Sequence, residues 1–296
     1  MRRIKKSIPE KIVDILIYTG FIMFTFVCTY PFYYLLINSF GTPEDVINGI
    51  YLLPPKFTLM NYRIIFASST ILNAIKISGL RTIIGTVASL AVTSFFAYLV
   101  TKNNLPCRKL MYRIIIVSNY ISAGLIPGYM LYTALGLKNN FLVYIIPNLI
   151  YSFNVVLIKT YMESIPASLE ESAKIDGAGF VKIFYSIIIP MSVPILAAIA
   201  VFSAVDQWNT WRDNLYFANT KELKTLPYYL YGVMQQAGAS GLTRNAGLVI
   251  TDSARLPNPM SIKIAVTMVS VLPIMMVYPL MQRFFVKGLM LGAVKG

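Results

Sequence analysis

Six predominantly apolar stretches of the chain carry no charged side chain, and each is about as long as a membrane span, whereas a seventh uncharged stretch, 225–243, is too polar and too rich in glycine to span. The bounds of the six are 15–43, 82–101, 114–137, 139–158, 183–205 and 264–282. A helix needs about 20 apolar residues to cross the hydrocarbon core of a bilayer, which is about 30 Å thick. Because backbone groups in lipid must hydrogen-bond within their own segment, each stretch is predicted to be a helix. The chain is therefore predicted to be an all-α, polytopic membrane protein with six transmembrane helices.

Flanking residues extend these stretches into the predicted spans. We predict spans over about 12–40, 71–101, 110–135, 139–162, 183–208 and 260–286. A cytoplasmic loop over about 163–182 and an extracellular loop over about 209–259 are predicted to separate the last three. No stretch has the composition of a separate soluble domain, so residues 1–296 are expected to form a single transmembrane domain.

The distribution of Lys and Arg predicts the orientation. Basic residues crowd the N-terminus, the loop after the second span and the C-terminal tail, whereas the loop after the first span balances them with acids. Positive charge favours the cytoplasmic side, so both termini are predicted to be cytoplasmic. The formal net charge of +14 then lies at the membrane margins, where it meets anionic lipid head groups. This placement argues against nucleic-acid binding.

The residues that would support chemistry are missing from the sequence. It contains no histidine, and its two cysteines, Cys28 and Cys107, form no cluster, so a zinc site is not expected. The spans hold no paired carboxylates and no nucleophile beside a base. No GxxxxGK[ST] phosphate-binding loop occurs either. The sequence therefore predicts no catalytic residue, no bound cofactor or metal, and no ability to hydrolyse ATP.

Polar and aromatic side chains within the spans or at their ends are candidates for a solute path. In hydrocarbon they must face other helices or a wet cavity, so two interpretations stay open: hydrogen bonds that hold the helices together, or a translocation path. Trp208 fits either an interfacial aromatic belt or stacking on a sugar. Lys76 and Arg81 are expected to extend to the membrane interface. The candidates for the path are Asn119, Tyr120, Tyr151, Asn154, Asp206, Trp208 and Asn209.

The segment LEESAKIDGAGFVKIFYSIIIP, residues 169–190, is a polar insert that the predicted topology places in the cytoplasm. Ser168 and Glu171 have the spacing of a capping box, which predicts a short helix ending at the glycines from Gly177. Its side chains combine an apolar centre of Leu169, Ala173 and Ile175 with a charged rim, as a docking surface does. A plain surface loop is the alternative.

The same segment resembles the loop motif of membrane subunits of ABC importers. Glu171-Ser172-Ala173 is followed after three residues by Gly177, and then at the motif's spacing by Ile187, Ile189 and Pro190. Ser172 in place of Ala and Ile189 in place of Leu are small departures. The six spans, Trp208-Asn209 and the C-terminal 278–296 stretch extend the resemblance over nearly the whole chain. The chain is similar to carbohydrate permeases of the maltose-type family, and most like the polysaccharide and complex-oligosaccharide branch.

This resemblance implies a type I ABC importer permease fold, a coupling helix over 168–179, and a prokaryotic cell-membrane location. It implies a carbohydrate substrate, a second homologous permease, two cytoplasmic ATPase subunits that use ATP and Mg²⁺, and an extracellular or periplasmic solute-binding protein. A stand-alone secondary carrier or channel for a small polar solute is the alternative. The residues that the resemblance assigns to ATPase coupling are Glu170, Glu171, Ser172, Ala173, Lys174, Asp176, Gly177, Ala178 and Gly179.

Overall fold

The computed structural model describes residues 8–49, 52–54, 56–238 and 259–293. These residues form helices and connecting segments, without a β-strand among them, so the all-α prediction is confirmed. The chain divides into two compact units, Met1–Ser68 with Gly232–Val269 and Ser69–Tyr231 with Ser270–Gly296. The single transmembrane domain over 1–296 stays a prediction. The basic residues before Ile8, residues 239–258 of the predicted extracellular loop and the last three residues lie outside the described residues.

The first unit contains the long helix α1 (Ile8–Ser39), followed by α2 (Pro43–Asn48) and α3 (Met60–Ala67). The buried Asn61 amide donates to the carbonyls of Ser39 at 3.1 Å and Gly41 at 3.0 Å. The Tyr62 hydroxyl donates to the Ser39 Oγ at 2.7 Å. These bonds satisfy carbonyls at the end of α1 and hold α3 against it.

The second unit begins with α4 (Ser69–Thr101), which packs against two later helices, α7 and α11. The remaining helices are α5 (Arg108–Ser118), α6 (Leu125–Ala134), α7 (Ser152–Glu163), α8 (Ala167–Ile175), α9 (Phe180–Ile183), α10 (Ile189–Met191), α11 (Val193–Asn209), α12 (Arg212–Tyr216), α13 (Leu226–Gly238) and α14 (Pro259–Ala293). A π-helical turn, Phe184–Ile188, joins α9 to α10, and 3₁₀ turns lie at Phe141–Tyr144, Ile146–Asn148 and Lys221–Leu223.

The main core of the second unit lies where α4, α7 and the α9–α11 segment meet. Its centre is the ring of Phe184, which lies 5.1 Å from the Tyr98 ring and 5.3 Å from the Phe95 ring between centroids. Ile158 of α7 and Ile199 of α11 are also fully buried in this cluster. The α8 helix directly precedes the α9–α11 segment of this core in the sequence.

Within the part of the chain that the structure describes, three helices are long and apolar enough to cross a membrane: Pro9–Ser39, Ser69–Thr101 and Met260–Pro279. Two bent helix pairs raise the number to five if each counts as one span. Phe141–Asn148 and Ser152–Glu163 meet at 47°, and Phe180–Met191 and Val193–Asn209 meet at 80°. The total of six spans stays a prediction.

The continuous helices that we predicted over 110–135, 139–162 and 183–208 are interrupted in the structure. In the first, α5 ends at Ser118 and α6 begins after Gly124, whose φ of 83° is unfavourable for other residues. In the last, the 80° bend falls at Ser192, between Pro190 and Pro194, which lack the N–H groups that a continuous helix needs.

Candidate functional site

The α8 helix ends in a defined glycine turn. Gly177 has φ of 78°, the Gly177 N–H donates to the Lys174 carbonyl at 3.0 Å, and the Ala178 N–H donates to the Ala173 carbonyl at 2.9 Å. This pair of bonds is the Schellman motif, in which the residue after the cap adopts a left-handed conformation. The predicted end of the helix at the glycines is confirmed. Of the two glycines, Gly177 has a positive φ, whereas Gly179 has φ of −71°.

The predicted capping box at the start of α8 is wrong. The helix begins at Ala167, so Ser168 lies inside the first turn instead of at the cap, and Pro166 occupies the cap position without a side-chain hydrogen bond. The fixed φ of Pro166 is compatible with the start of a helix. The helix therefore begins at Ala167, one residue before Ser168.

One face of α8 points toward the rest of the unit. Glu170 forms an ion pair with Lys102 at the end of α4, and the Lys102 Nζ lies 4.0 Å from the centroid of the Tyr98 ring. Burial lowers the pKa of Lys102, while its hydrogen bond to Glu170 acts in the opposite direction. Ala173 and Ala178 pack against the main core. The prediction that Ala173 belongs to an exposed apolar centre is therefore wrong, since the helical period turns it inward.

The opposite face of α8 is open. Glu171, Ser172 and Ile175 are exposed, and Ile175 has 87% of its surface accessible. Residues three and four apart share a helix face, so these three side chains form one outward surface, flanked by the exposed Asp176. An isoleucine this exposed contributes little to the folding of its own chain. We call the surface of Glu171, Ser172, Ile175 and Asp176 the α8 outer face.

A second candidate site is a cavity of about 270 Å³ in the same unit. It brings together three predicted path residues, Tyr151, Asn154 and Asp206. The other lining residues are Ser89, Asn148, Phe153, Phe202, Ser203 and Gln207.

Two buried polar side chains in this cavity make no hydrogen bond to any described residue. Ser89 is 4% exposed and Asn154 is 7% exposed, and both line the cavity. Their polar atoms are not among the fully enclosed unpaired atoms of the described residues, so they are accessible from the open space of the cavity. Their presence beside an open space indicates that a polar molecule can complete their hydrogen bonds.

The other predicted path residues lie elsewhere. Asn119 and Tyr120 line a separate cleft of about 570 Å³ at the break between α5 and α6. Trp208 lines an apolar cavity of about 210 Å³ with Pro273, and its indole N–H donates to the Ser270 carbonyl at 2.9 Å. Asn209 is exposed at the end of α11. The structure therefore does not gather these four residues with Asn154.

Arg81 is the centre of a buried network that includes Gln207, one of the residues that line the cavity. Its guanidinium donates to the Gln207 Oε1 at 2.9 Å and to the Asp213 carboxylate at 2.5 Å, and lies 4.6 Å from the centroid of the Tyr144 ring. Burial raises the pKa of Asp213, while the charge of Arg81 acts in the opposite direction. Arg81 is 1% exposed, so the expected extension to the membrane interface is wrong. The network gives its charge enough partners to stay buried.

The missed residues carried a weak signal in the sequence. Ser78, Arg81, Gly85 and Ser89 of α4 are all buried and recur every three or four residues. A stripe of small and polar residues at helical spacing marks the face that approaches other helices in a membrane protein. Gly85 shows how close this approach is, since a Cβ there would lie 2.7 Å from the Gln207 Nε2.

Metal-ligand chemistry has no assembled site among the described residues. No group of three or more His, Cys, Asp or Glu side chains in this part of the chain could hold a metal ion, and Cys28 and Cys107 are separate, exposed thiols.

Comparisons with known proteins complete the description of the site. No protein-family model matches the chain. The chain is 34% identical over 289 residues to the polygalacturonan/rhamnogalacturonan transport system permease protein YtcP of Bacillus subtilis, covering 97% of this chain and 99% of that protein. It is also 34% identical over 267 residues to protein LplC of the same organism, covering 90% and 89%.

Among solved structures, the chain is similar to a chain of a bacterial ABC transporter involved in the import of the acidic polysaccharide alginate. The TM-score is 0.84 at 26% identity, and the similarity covers 96% of this chain and 100% of the other.

Proposed function

The chain belongs to the sugar permease subunits of ABC importers, and on that premise we propose that it carries an oligosaccharide into the cytoplasm, driven through α8 by a separate ATPase. The family predicted from the motif between Glu171 and Pro190 is thereby confirmed. The chain is a multi-pass membrane protein and a transport subunit, not an enzyme. We infer that both termini lie in the cytoplasm.

The observation that carries the proposal is the α8 outer face beside the core. Its exposed Ile175 gives an apolar contact, and Glu171, Ser172 and Asp176 surround it with polar groups. A small apolar centre with a polar rim is the composition of a protein–protein contact. These four residues are proposed to bind the ATPase subunit.

The other predicted coupling residues are proposed to hold α8 in position. Glu170 binds Lys102, and Ala173 and Ala178 pack against the core. Gly177 forms the turn that ends the helix, and Gly179 begins α9. A displacement of α8 would therefore be transmitted to α4 and to the core.

The exposed Lys174 belongs to the same helix but to neither face. With Glu170 it lines a cleft of about 690 Å³ beside α8, and its charge contributes to lowering the pKa of Lys102. It is proposed to lie at the margin of the ATPase contact.

The proposed assembly contains this chain, a second related permease, two ATPase subunits and a solute-binding protein outside the membrane. ATP and Mg²⁺ are proposed to bind the ATPase subunits, because this chain has no GxxxxGK[ST] loop. The cavity lined by Asn154 and Asp206 is proposed to contact the oligosaccharide, while the cleft at Asn119 and Tyr120 is proposed as a separate part of the path.

Site-directed cross-linking tests the contact with the ATPase. In a chain with Cys28→Ser and Cys107→Ser, a cysteine introduced by Ile175→Cys should cross-link to the ATPase subunit through a short reagent that carries a maleimide for the cysteine and a photoreactive diazirine that inserts into any nearby side chain. Ala173→Cys is the matched control, because position 173 faces the core of its own chain. Equal cross-linking from the two positions, or none from position 175, would contradict the proposed contact.

A further inference from the structure

The cavity lined by Asn154 and Asp206 carries formal charge of one sign only. Asp206 is the one charged side chain among its lining residues. The nearest cation of the supporting network, Arg81, is 1% exposed and is neutralised by its ion pair with Asp213. The cavity therefore has a net negative potential, with no lining cation to oppose it.

The hydrogen-bonding groups of the cavity match hydroxyls. The Asp206 carboxylate can only accept hydrogen bonds. Asn148 offers its Oδ1 as an acceptor and one N–H as a donor, since its other N–H donates to the Tyr144 carbonyl at 3.2 Å. The unsatisfied side chains of Asn154 and Ser89 can both donate and accept. A sugar hydroxyl, which does both, can pair with every one of these groups.

The apolar part of the lining suits the faces of sugar rings. Tyr151, Phe153 and Phe202 each expose more than half of their surface and line the cavity. Aromatic rings offer flat apolar surfaces on which the C–H faces of a pyranose can pack. Gln207, in contrast, accepts from Arg81 through its Oε1 and donates one of its two amide N–H groups to the Tyr144 carbonyl, so it holds the cavity wall in place.

A sugar carboxylate has no cationic partner in this lining. Ser89 and Asn154 could donate hydrogen bonds to it, but it would lie near the exposed Asp206 without a cation to pair with, and the like charge disfavours its ionised form. We propose that this subunit contacts an uncharged oligosaccharide and discriminates against uronate-containing ones. The inference rests on the proposed function, in which this cavity contacts the transported sugar.

This substrate class differs from those named for two similar proteins, YtcP, whose name includes the polyuronate polygalacturonan, and the solved transporter involved in the import of the acidic polysaccharide alginate. Family membership alone does not determine the charge of the cargo.

The test uses the complete transporter in lipid nanodiscs, isolated through a tag on this chain. The chain carries Cys28→Ser, Cys107→Ser and Ser203→Cys, and modification of position 203 is followed by mass spectrometry. Galactotriose and trigalacturonate form a matched probe pair, because they share ring stereochemistry and differ in the carboxylates. A cationic and an anionic methanethiosulfonate reagent measure the local potential without any sugar.

We expect the cationic reagent to react faster than the anionic one by about tenfold, as focused negative potential requires, and Asp206→Asn to reduce this ratio. Galactotriose should slow the modification at concentrations where trigalacturonate does not. Asp206→Asn should weaken protection by galactotriose and strengthen protection by trigalacturonate.

Protection by trigalacturonate that equals or exceeds that by galactotriose would overturn the inference, but it would leave the proposed function intact. A faster reaction of the anionic reagent would overturn the inference as well. If neither sugar protects position 203 in a preparation that imports oligosaccharide with ATP, the cavity is not the sugar contact and the inference fails. A preparation without ATP-driven import contradicts the proposed function itself.

Discussion

Gly177 combines a backbone conformation that most side chains disfavour with a backbone N–H that proline lacks. Its φ of 78° lies in the left-handed region, and its N–H donates to the Lys174 carbonyl. Both features fix the direction in which the chain leaves α8 toward α9. The orientation of the α8 outer face therefore depends on this residue, together with the Glu170–Lys102 pair and the packing of Ala173.

Replacing Gly177 with Pro should uncouple transport from ATP hydrolysis. Proline cannot adopt positive φ and has no N–H to donate, so the turn must open, at a cost of about 3 kcal/mol or more. We expect normal insertion into the membrane, a fall in uptake of about tenfold or more, and continued ATP hydrolysis. Gly177→Asn is the control, because asparagine tolerates the left-handed conformation and should retain most of the uptake. Normal uptake by the Pro variant would show that α8 is not the coupling helix.

Substitutions at two isoleucines, one in α8 and one in α9, can distinguish an effect on ATPase coupling from an effect on folding. Ile175 is 87% exposed and Ile183 is 1% exposed in the core. Ile175→Ser should leave the thermal stability within about 0.5 kcal/mol while it lowers uptake and ATPase co-purification. Ile183→Ser should destabilise the chain by about 2–5 kcal/mol, because it removes buried methyl groups and leaves a cavity. A loss of stability with Ile175→Ser as large as that with Ile183→Ser would mean that the α8 outer face packs within its own chain.

Among the helices, α4 connects the two candidate sites. Its first half carries Arg81 and Gly85 behind the cavity, and its end carries Lys102, which binds Glu170 of α8. A helix hydrogen-bonded throughout can transmit a displacement from α8 toward the cavity. This continuity makes the polar face of α4 a place where stability and transport depend on the same residues.

Removing one partner of the buried Arg81–Asp213 pair should be costly. Arg81→Met leaves the Asp213 carboxylate without its cation and should lower stability by about 3–5 kcal/mol. Arg81→Met with Asp213→Asn should lose less than the sum of the two single changes, since neither charge is then left alone. Thermal unfolding in detergent of the two single variants and the double variant gives the coupling energy. Additive losses would show that the pair does not act as a unit.

Two glycines of α4 form a matched pair for the close approach to α11. A Cβ at Gly85 would lie 2.7 Å from the Gln207 Nε2, whereas a Cβ at Gly79 meets nothing within 4 Å. Gly85→Ala should cost about 1–3 kcal/mol through overpacking. Gly79→Ala should be neutral or stabilising by up to about 1 kcal/mol through helix propensity. The same thermal unfolding measurement distinguishes them, and equal effects would contradict the close contact.

The sequence predicted the positions of helices better than their continuity. Uncharged stretches located α1, α4 and α14 because length and hydropathy are local properties. The bend at Ser192 and the break before Leu125 escaped, since a membrane helix can also tolerate proline and glycine when neighbouring groups satisfy the backbone.

The candidate sites were predicted unevenly for a related reason. The turn at Gly177 follows from local chemistry and was predicted, whereas the inward position of Ala173 depends on the register of α8 against the core. Arg81 was misplaced because hydropathy does not distinguish an arginine at the lipid interface from one that is buried among Gln207, Tyr144 and Asp213. Ser89 and Asn154 meet only in the folded chain.

For the protein as a whole, family membership and the open α8 outer face lead to one account. The chain provides a path through the membrane and a surface on which another subunit acts, and it carries no phosphate-binding loop of its own. A stand-alone carrier would need neither an exposed Ile175 nor a partner for it. The account therefore depends on obligatory coupling to an ATPase.

Uptake by reconstituted vesicles tests that dependence most directly. The transporter is isolated through a tag on this chain, placed in proteoliposomes with ATP and Mg²⁺ at the ATPase side, and supplied with its solute-binding protein and a pool of labelled oligosaccharides. We predict uptake that requires ATP hydrolysis, the ATPase subunits and the binding protein, and that is lost with Ile175→Ser at unchanged protein stability. Uptake of the same sugars by the permease subunits alone, without ATPase or ATP, would contradict the account.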